Sequence, residues 1–157
     1  MSGAPPTGTG RPLLGAVLAG LAAAGLAVAA YLTFSEGGGS DAVCVIGSGC
    51  DEVGASSYSH LLGVPLAVYG VAWSAVALAA ALAWWRTADR RPLYVLYVGG
   101  LVATIVEVYL VYLELFVIDA VCSWCALYGI TVVLGWLGAV AGVVRASRAP
   151  IDEVRPD

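Results

Sequence analysis

The sequence predicts an all-α integral membrane protein, a bundle of four transmembrane helices. Three observations carry this. The 157 residues have a mean hydropathy of +0.90. Only 11% of them are charged, against about a quarter in soluble domains. Four apolar stretches are each long enough to cross roughly 30 Å of hydrocarbon, which takes about 20 helical residues. A soluble domain of this length has too little interior to hide so much apolar surface, and the length suits one small bundle.

The first span is predicted from about Pro12 to Phe34, the second from about Val64 to Trp85, the third from about Pro92 to Val117 and the fourth from about Ala120 to Val144. Together they make a membrane domain over residues 12–145, flanked by a disordered tail at 1–11 and a second tail at 146–157. Pro65 and Pro92 are placed in first turns, where a helix tolerates proline. The first span also has the look of a signal peptide, with Ala27-Val28-Ala29 as a small-residue site. It is long for one, however, and its leading segment carries a single positive charge.

Arginine placement predicts orientation. Arg11 precedes the first span, Arg86, Arg90 and Arg91 separate the second and third, and Arg145, Arg148 and Arg155 follow the fourth. The chain has no lysine. The Ser35–Gly63 loop carries Glu36, Asp41, Asp51 and Glu52 instead. Both termini are therefore expected in the cytoplasm, with the loop on the outer face of a bacterial inner membrane. The absence of lysine and the abundance of Ala, Gly and Arg fit a GC-rich bacterium. No basic cluster suggests nucleic acid as a partner.

The four cysteines fall into two pairs on that outer side, which in a bacterium is oxidising. Cys122 and Cys125 form Cys-Ser-Trp-Cys at the start of the fourth span. On a helix this spacing puts both sulfurs on one face, one turn apart. Backbone N–H groups and the helix dipole stabilise a thiolate there. A redox dithiol is the reading preferred here; a zinc site and two inert apolar cysteines are the alternatives. Cys44 and Cys50 bracket Val45-Ile46-Gly47-Ser48-Gly49, a flexible loop whose disulfide either staples the loop or exchanges with a partner. Two dithiols near one membrane face suggest a relay between a soluble thiol protein and something dissolved in the bilayer.

The segment from Asp51 to His60 is expected as a short amphipathic helix over the mouth of the bundle, offering Ser56, Tyr58 and His60 as donors or proton carriers. Glu107 and Glu114 share one face of the third span, with Glu107 the deeper of the two. A carboxyl at that depth is costly and marks either a functional group or a structural hydrogen bond. Tyr109, Tyr112, Phe116, Trp124 and Tyr128 gather in the outer halves of the third and fourth spans. They form an interface belt or line a flat pocket for a quinone ring.

From about Leu13 to about Val144 the chain resembles the vitamin K epoxide reductase family in its prokaryotic form. The likeness rests on the four spans, the Cys-x5-Cys loop, Ser56 six residues after Cys50, Gly63 and Pro65 opening the second span, the stretch from Tyr109-Leu110 to Cys122, and Cys122-x-x-Cys125 opening the fourth. The resemblance implies a quinone pocket capped by the loop, with Cys122 and Cys125 as the active-site pair, Cys125 facing the quinone, Cys44 and Cys50 as the shuttle pair and Ser56 near the ring. It also implies menaquinone or ubiquinone as substrate, no metal, and a thioredoxin-fold thiol oxidase as a separate protein, since the fused thioredoxin-like domain of some members is expected to be absent. In the animal enzymes a Tyr stands four residues after the second active-site Cys. Gly129 holds that place here, which favours a quinone over an epoxide. Two rivals are a disulfide-bond protein B-like oxidase, whose Cys-x-x-Cys lies in the first outer loop, and a thiol-based metal-binding or transport protein.

Overall fold

The computed structural model describes residues 10–35, 49–87 and 89–152. Cys44 and most of the loop before Gly49 lie outside them. Five helices follow in order: α1 Gly10–Phe34, α2 Gly49–Ala55, α3 Leu66–Thr87, α4 Arg91–Leu113 and α5 Ser123–Asp152. A hairpin of β1 His60–Leu61 and β2 Val64–Pro65 separates α2 from α3. α1, α3, α4 (with the turn that follows it) and α5 are long and apolar enough to cross a membrane. α1 packs against α3 and α5, and α4 against α5 and α3. Many apolar side chains on the outside of the bundle are exposed, including Val98, Ile105 and Val108. Lipid suits such a surface, because the helices satisfy their own backbone groups.

At the end of the bundle that carries the α3–α4 connection, packing is close. Leu18, Ala77, Ala81, Trp84, Leu93, Leu96 and Ala139 form a buried core there. Without a hydrophobic drive between helices in lipid, close contact of backbones and side chains holds such a bundle together. A Cβ on Gly138 would come within 2.9 Å of Leu18, and one on Gly142 within 3.0 Å of Leu93. Glycine at both positions is what lets α5 lie so near its neighbours.

Three local features differ from the sequence-based expectation. The segment expected as one helix from Asp51 to His60 is a shorter helix, α2, followed by a turn and the hairpin. Serine side chains end α2: Ser56 Oγ donates to the Val53 carbonyl at 2.7 Å and Ser59 Oγ to the Gly54 carbonyl at 2.7 Å. Such side-chain bonds compete with continuation of the helix. Pro65 lies in β2, immediately before α3, rather than in its first turn; Pro92 does stand in the first turn of α4. At the C-terminal end, α5 continues to Asp152, through residues expected as a tail. The hairpin turns on Leu62 and Gly63, both with positive φ (55° and 79°). That is the backbone of a two-residue turn whose twist matches its strands, and glycine accepts it without strain.

Candidate active site

The cysteine end of the bundle is built by two helix termini that meet. α4 does not stop at Leu113 but widens into a π-helical turn, Glu114–Ile118. Asp119 closes this turn with φ 57°, and the Ala120 N–H bonds back to the Glu114 carbonyl at 3.1 Å. Single π turns frequently mark functional sites. Here the turn leaves Glu114 buried, with its carboxylate accepting the Cys122 backbone N–H at 3.4 Å.

α5 then begins with Cys122 as its cap. The Cys122 Sγ accepts the backbone N–H of Cys125 at 3.2 Å, and the Cys122 carbonyl accepts that of Ala126 at 3.0 Å. A sulfur thus does what a serine or aspartate oxygen does at an ordinary helix start. Cys122 is buried, and both cysteines carry free thiols. The Cys122 thiol titrates below its ordinary range. A hydrogen bond from the Cys125 thiol is the main cause, and burial opposes it. A thiolate is the competent nucleophile in disulfide exchange, and the hydrogen bond from Cys125 favours that form at Cys122.

Cys50 reaches this place because Gly49 has no side chain. A Cβ there would stand 2.5 Å from the Val121 carbonyl oxygen. With hydrogen in its place, α2 rests on the chain just before α5. Cys50 is buried, disulfide-bonded, and its Sγ is 3.9 Å from the Ser123 Oγ, one residue beyond Cys122. Cys44 lies outside the described residues.

Behind Cys125 is a cavity of about 450 Å³, within the range of small-molecule sites. α1, α3, α4, α5 and the α2–hairpin segment all line it. Its walls are mostly apolar, among them Leu32, Trp73, Val102, Val106 and Leu110, with Ser56, Tyr58, Ser59, Tyr69, Glu107, Glu114, Cys125 and Tyr128 as the polar and titratable groups. A flat, largely apolar quinone ring with two carbonyl oxygens fits such a lining. The described residues hold no group of three or more His, Cys, Asp or Glu side chains suited to a metal.

The structure divides the residues expected from the sequence. Ser56, Tyr58, Cys125 and Tyr128 line the cavity. The Tyr128 hydroxyl ties α5 to α3, donating to the Gly70 carbonyl at 3.1 Å and facing the Ser74 Oγ at 3.4 Å. Tyr109, Tyr112 and Trp124 are not in its lining. Tyr109 and Tyr112 are exposed on the outside of α4, Tyr112 stacked on Phe116 with ring centroids 5.1 Å apart, which is the interface-belt arrangement. Trp124 instead packs on Tyr31 of α1 at 4.9 Å. α4 shows why an aromatic cluster in sequence splits in space: Leu110 and Leu113 turn inward, while Tyr109 and Tyr112 face out. His60 is exposed, its Nδ1 2.8 Å from the Ser59 Oγ. Gly70 and Val106 line the cavity without having been singled out, and no residue-type signal would have found them.

No curated protein matches the chain. The model of the vitamin K epoxide reductase family matches it over residues 16–140. That stretch contains all four cysteines, the cavity and the core. The family's chemistry is that of a membrane thiol–quinone oxidoreductase, and a capped dithiol opening onto an apolar cavity suits it. With most of its length matched, the chain belongs to the vitamin K epoxide reductase family.

Proposed function

We propose that the protein reoxidises a thioredoxin-fold, disulfide-forming partner outside the cytoplasm and passes the electrons to a membrane quinone. The observation that carries this reading is the position of Cys125: it lines the cavity, while its helix-capping neighbour Cys122 lies beside the segment that holds Cys50. Cys50, Cys122 and Cys125 would thereby act in series from the loop to the cavity.

The partner's dithiol would reduce the Cys44–Cys50 disulfide through a mixed disulfide. Cys50 and Cys122 would then join transiently, so that electrons move from the loop to the Cys122–Cys125 pair. Their meeting requires Cα atoms within about 7 Å, and the close seat of Gly49 on Val121 favours it. When Cys122 and Cys125 return to a disulfide, two electrons and two protons leave them and the quinone becomes a quinol. The substrate supplies the redox chemistry; the protein supplies the seat, the thiols and the exclusion of water. Arginine placement supports an outward-facing cysteine end.

Purified protein given a reduced thioredoxin-fold oxidase and a short-chain quinone should produce quinol. Cys44→Ala and Cys50→Ala should each stop turnover with that partner while a small penetrating dithiol still drives it. Equal loss with both reductants would contradict a shuttle role for the loop pair. In intact cells, a membrane-impermeant thiol reagent should label reduced Cys44; labelling only after lysis would reverse the orientation.

A further inference from the structure

Reducing a quinone needs two protons at its oxygens as well as two electrons, in a cavity walled mainly by apolar side chains. The polar groups of that cavity are mostly spent. Ser56 Oγ donates to the Val53 carbonyl, Ser59 Oγ to the Gly54 carbonyl, Tyr69 to the Leu61 carbonyl at 3.1 Å and Tyr128 to the Gly70 carbonyl. Each of these hydroxyl protons is held by a backbone carbonyl. Glu114 accepts the Cys122 N–H and bonds the Cys125 thiol. Tyr58 is about half exposed, at 48%, and stands at the solvent side of the cavity.

Glu107 is the exception. It lines the cavity from α4, two turns deeper than Glu114, and no hydrogen-bond partner for its carboxyl is found among the described residues. Gly129 of α5 explains how it fits. A Cβ on Gly129 would be 3.1 Å from Glu107 Oε2, so the carboxyl occupies the room that a side chain at 129 would take. Residue 129 is one turn past Cys125, which places the carboxyl and the thiol on neighbouring turns of one wall. Among the described residues, the titratable groups that share the cavity with Glu107 are Glu114, Cys125, Tyr58, Tyr69 and Tyr128, and no arginine lines it.

We infer that Glu107 is a catalytic residue, the acid that protonates the bound quinone. The inference rests on the quinone reading above. As the S–S bond between Cys122 and Cys125 forms, two electrons pass to the quinone ring, and the proton held by the Glu107 carboxyl goes to the nearer quinone oxygen. The two thiol protons balance the step. One, from Cys125, reloads Glu107 by way of Glu114, which bonds that thiol, and the other reaches the second oxygen.

The test uses the full chain in lipid nanodiscs, reduced with a small dithiol and mixed with a short-chain quinone. Glu107→Gln keeps the shape of the side chain but carries no transferable proton. Quinol formation should slow by about a hundredfold or more, the usual worth of a positioned acid. Exchange of the Cys122–Cys125 disulfide with the dithiol, read by thiol counting, should stay within about twofold, since general acid catalysis at the quinone is no part of it. The wild-type rate should fall as pH rises and the carboxyl loses its proton, and Glu107→Gln should lack that limb. Glu107→Asp should keep the limb at a reduced rate, and it decides the matter should the Gln variant fail to fold. A Gln variant with the wild-type rate and pH profile, or an Asp variant with a flat profile, would overturn this inference alone. Absence of quinol from the wild type would overturn the quinone reading, and this one with it.

Discussion

At one end of the bundle Ala81 and Ala139 are fully buried and Gly138 and Gly142 let α5 press against Leu18 and Leu93. At the other, the same four helices stand apart around about 450 Å³ of mostly apolar space. The difference lies in side-chain size and in what ends the helices. Small residues close the first end by contact. At the second, the π turn after Leu113, the sulfur cap of α5 and the α2–hairpin segment hold the helix ends in place. Their bonds fix Glu114, Cys122 and Cys50 relative to one another without filling the middle. One end is therefore closed by packing and the other is built around a cavity.

Changes at the two ends should separate accordingly. Of the changes that touch packing alone, the one at Gly49 should have the largest effect. Gly49→Ala puts a methyl 2.5 Å from the Val121 carbonyl oxygen, so α2 must lift and Cys50 move away from α5. A displacement of about 1 Å can cost on the order of a hundredfold in rate. Turnover with the protein partner should fall by about that much, and turnover with a small dithiol far less, in paired steady-state assays. Comparable losses with both would mean that Gly49 serves the fold and not the relay.

At the packed end, Leu93→Ala should act on stability alone. In lipid the lost term is packing, so the cost should lie near the low end for buried leucines, about 2 kcal/mol. Unfolding in a detergent–denaturant series would measure it. Quinol formed per folded molecule should be unchanged, and a loss of specific activity would break the division between the ends.

A smaller effect concerns Cys122. Its thiol titrates below the ordinary range because the Cys125 thiol donates to it. The sign follows: the thiolate persists to lower pH than in a free cysteine, so the pH midpoint for reaction with a small alkylating reagent should lie below that of an ordinary thiol. Cys125→Ala removes the donor and should move the midpoint up. No movement would assign the depression to the helix start instead.

Much of this was legible in the sequence. Length and hydropathy mark the four spans, and Cys-x-x-Cys at a helix start foretells the sulfurs of Cys122 and Cys125, because both follow from local rules. Arg86, Arg90 and Arg91 mark the connection between α3 and α4 for the same reason. The family resemblance places Ser56 near the quinone ring, and Tyr128 is one of the aromatics gathered in the outer halves of the third and fourth spans. Tyr109 and Tyr112 could not be separated from Leu110 and Leu113, since which face of α4 turns inward depends on α3 and α5. The seat of Gly49 on Val121, and of Glu107 against Gly129, are long-range contacts between residues ordinary in themselves. No local pattern encodes them.

In the proposed relay, Cys125 hands electrons from the thiols to a quinone in this cavity. The most direct measurement is an anaerobic single turnover in which fully reduced protein without the loop pair (Cys44→Ala, Cys50→Ala), which leaves no second dithiol to re-reduce Cys122 and Cys125, is mixed with one equivalent of short-chain quinone, and quinol and free thiols are counted together. Quinol should appear as the Cys122 and Cys125 thiols vanish as a pair into a disulfide, and Cys125→Ala should yield none. Quinol from the Cys125→Ala variant, or quinol formed while both thiols remain free, would contradict the account.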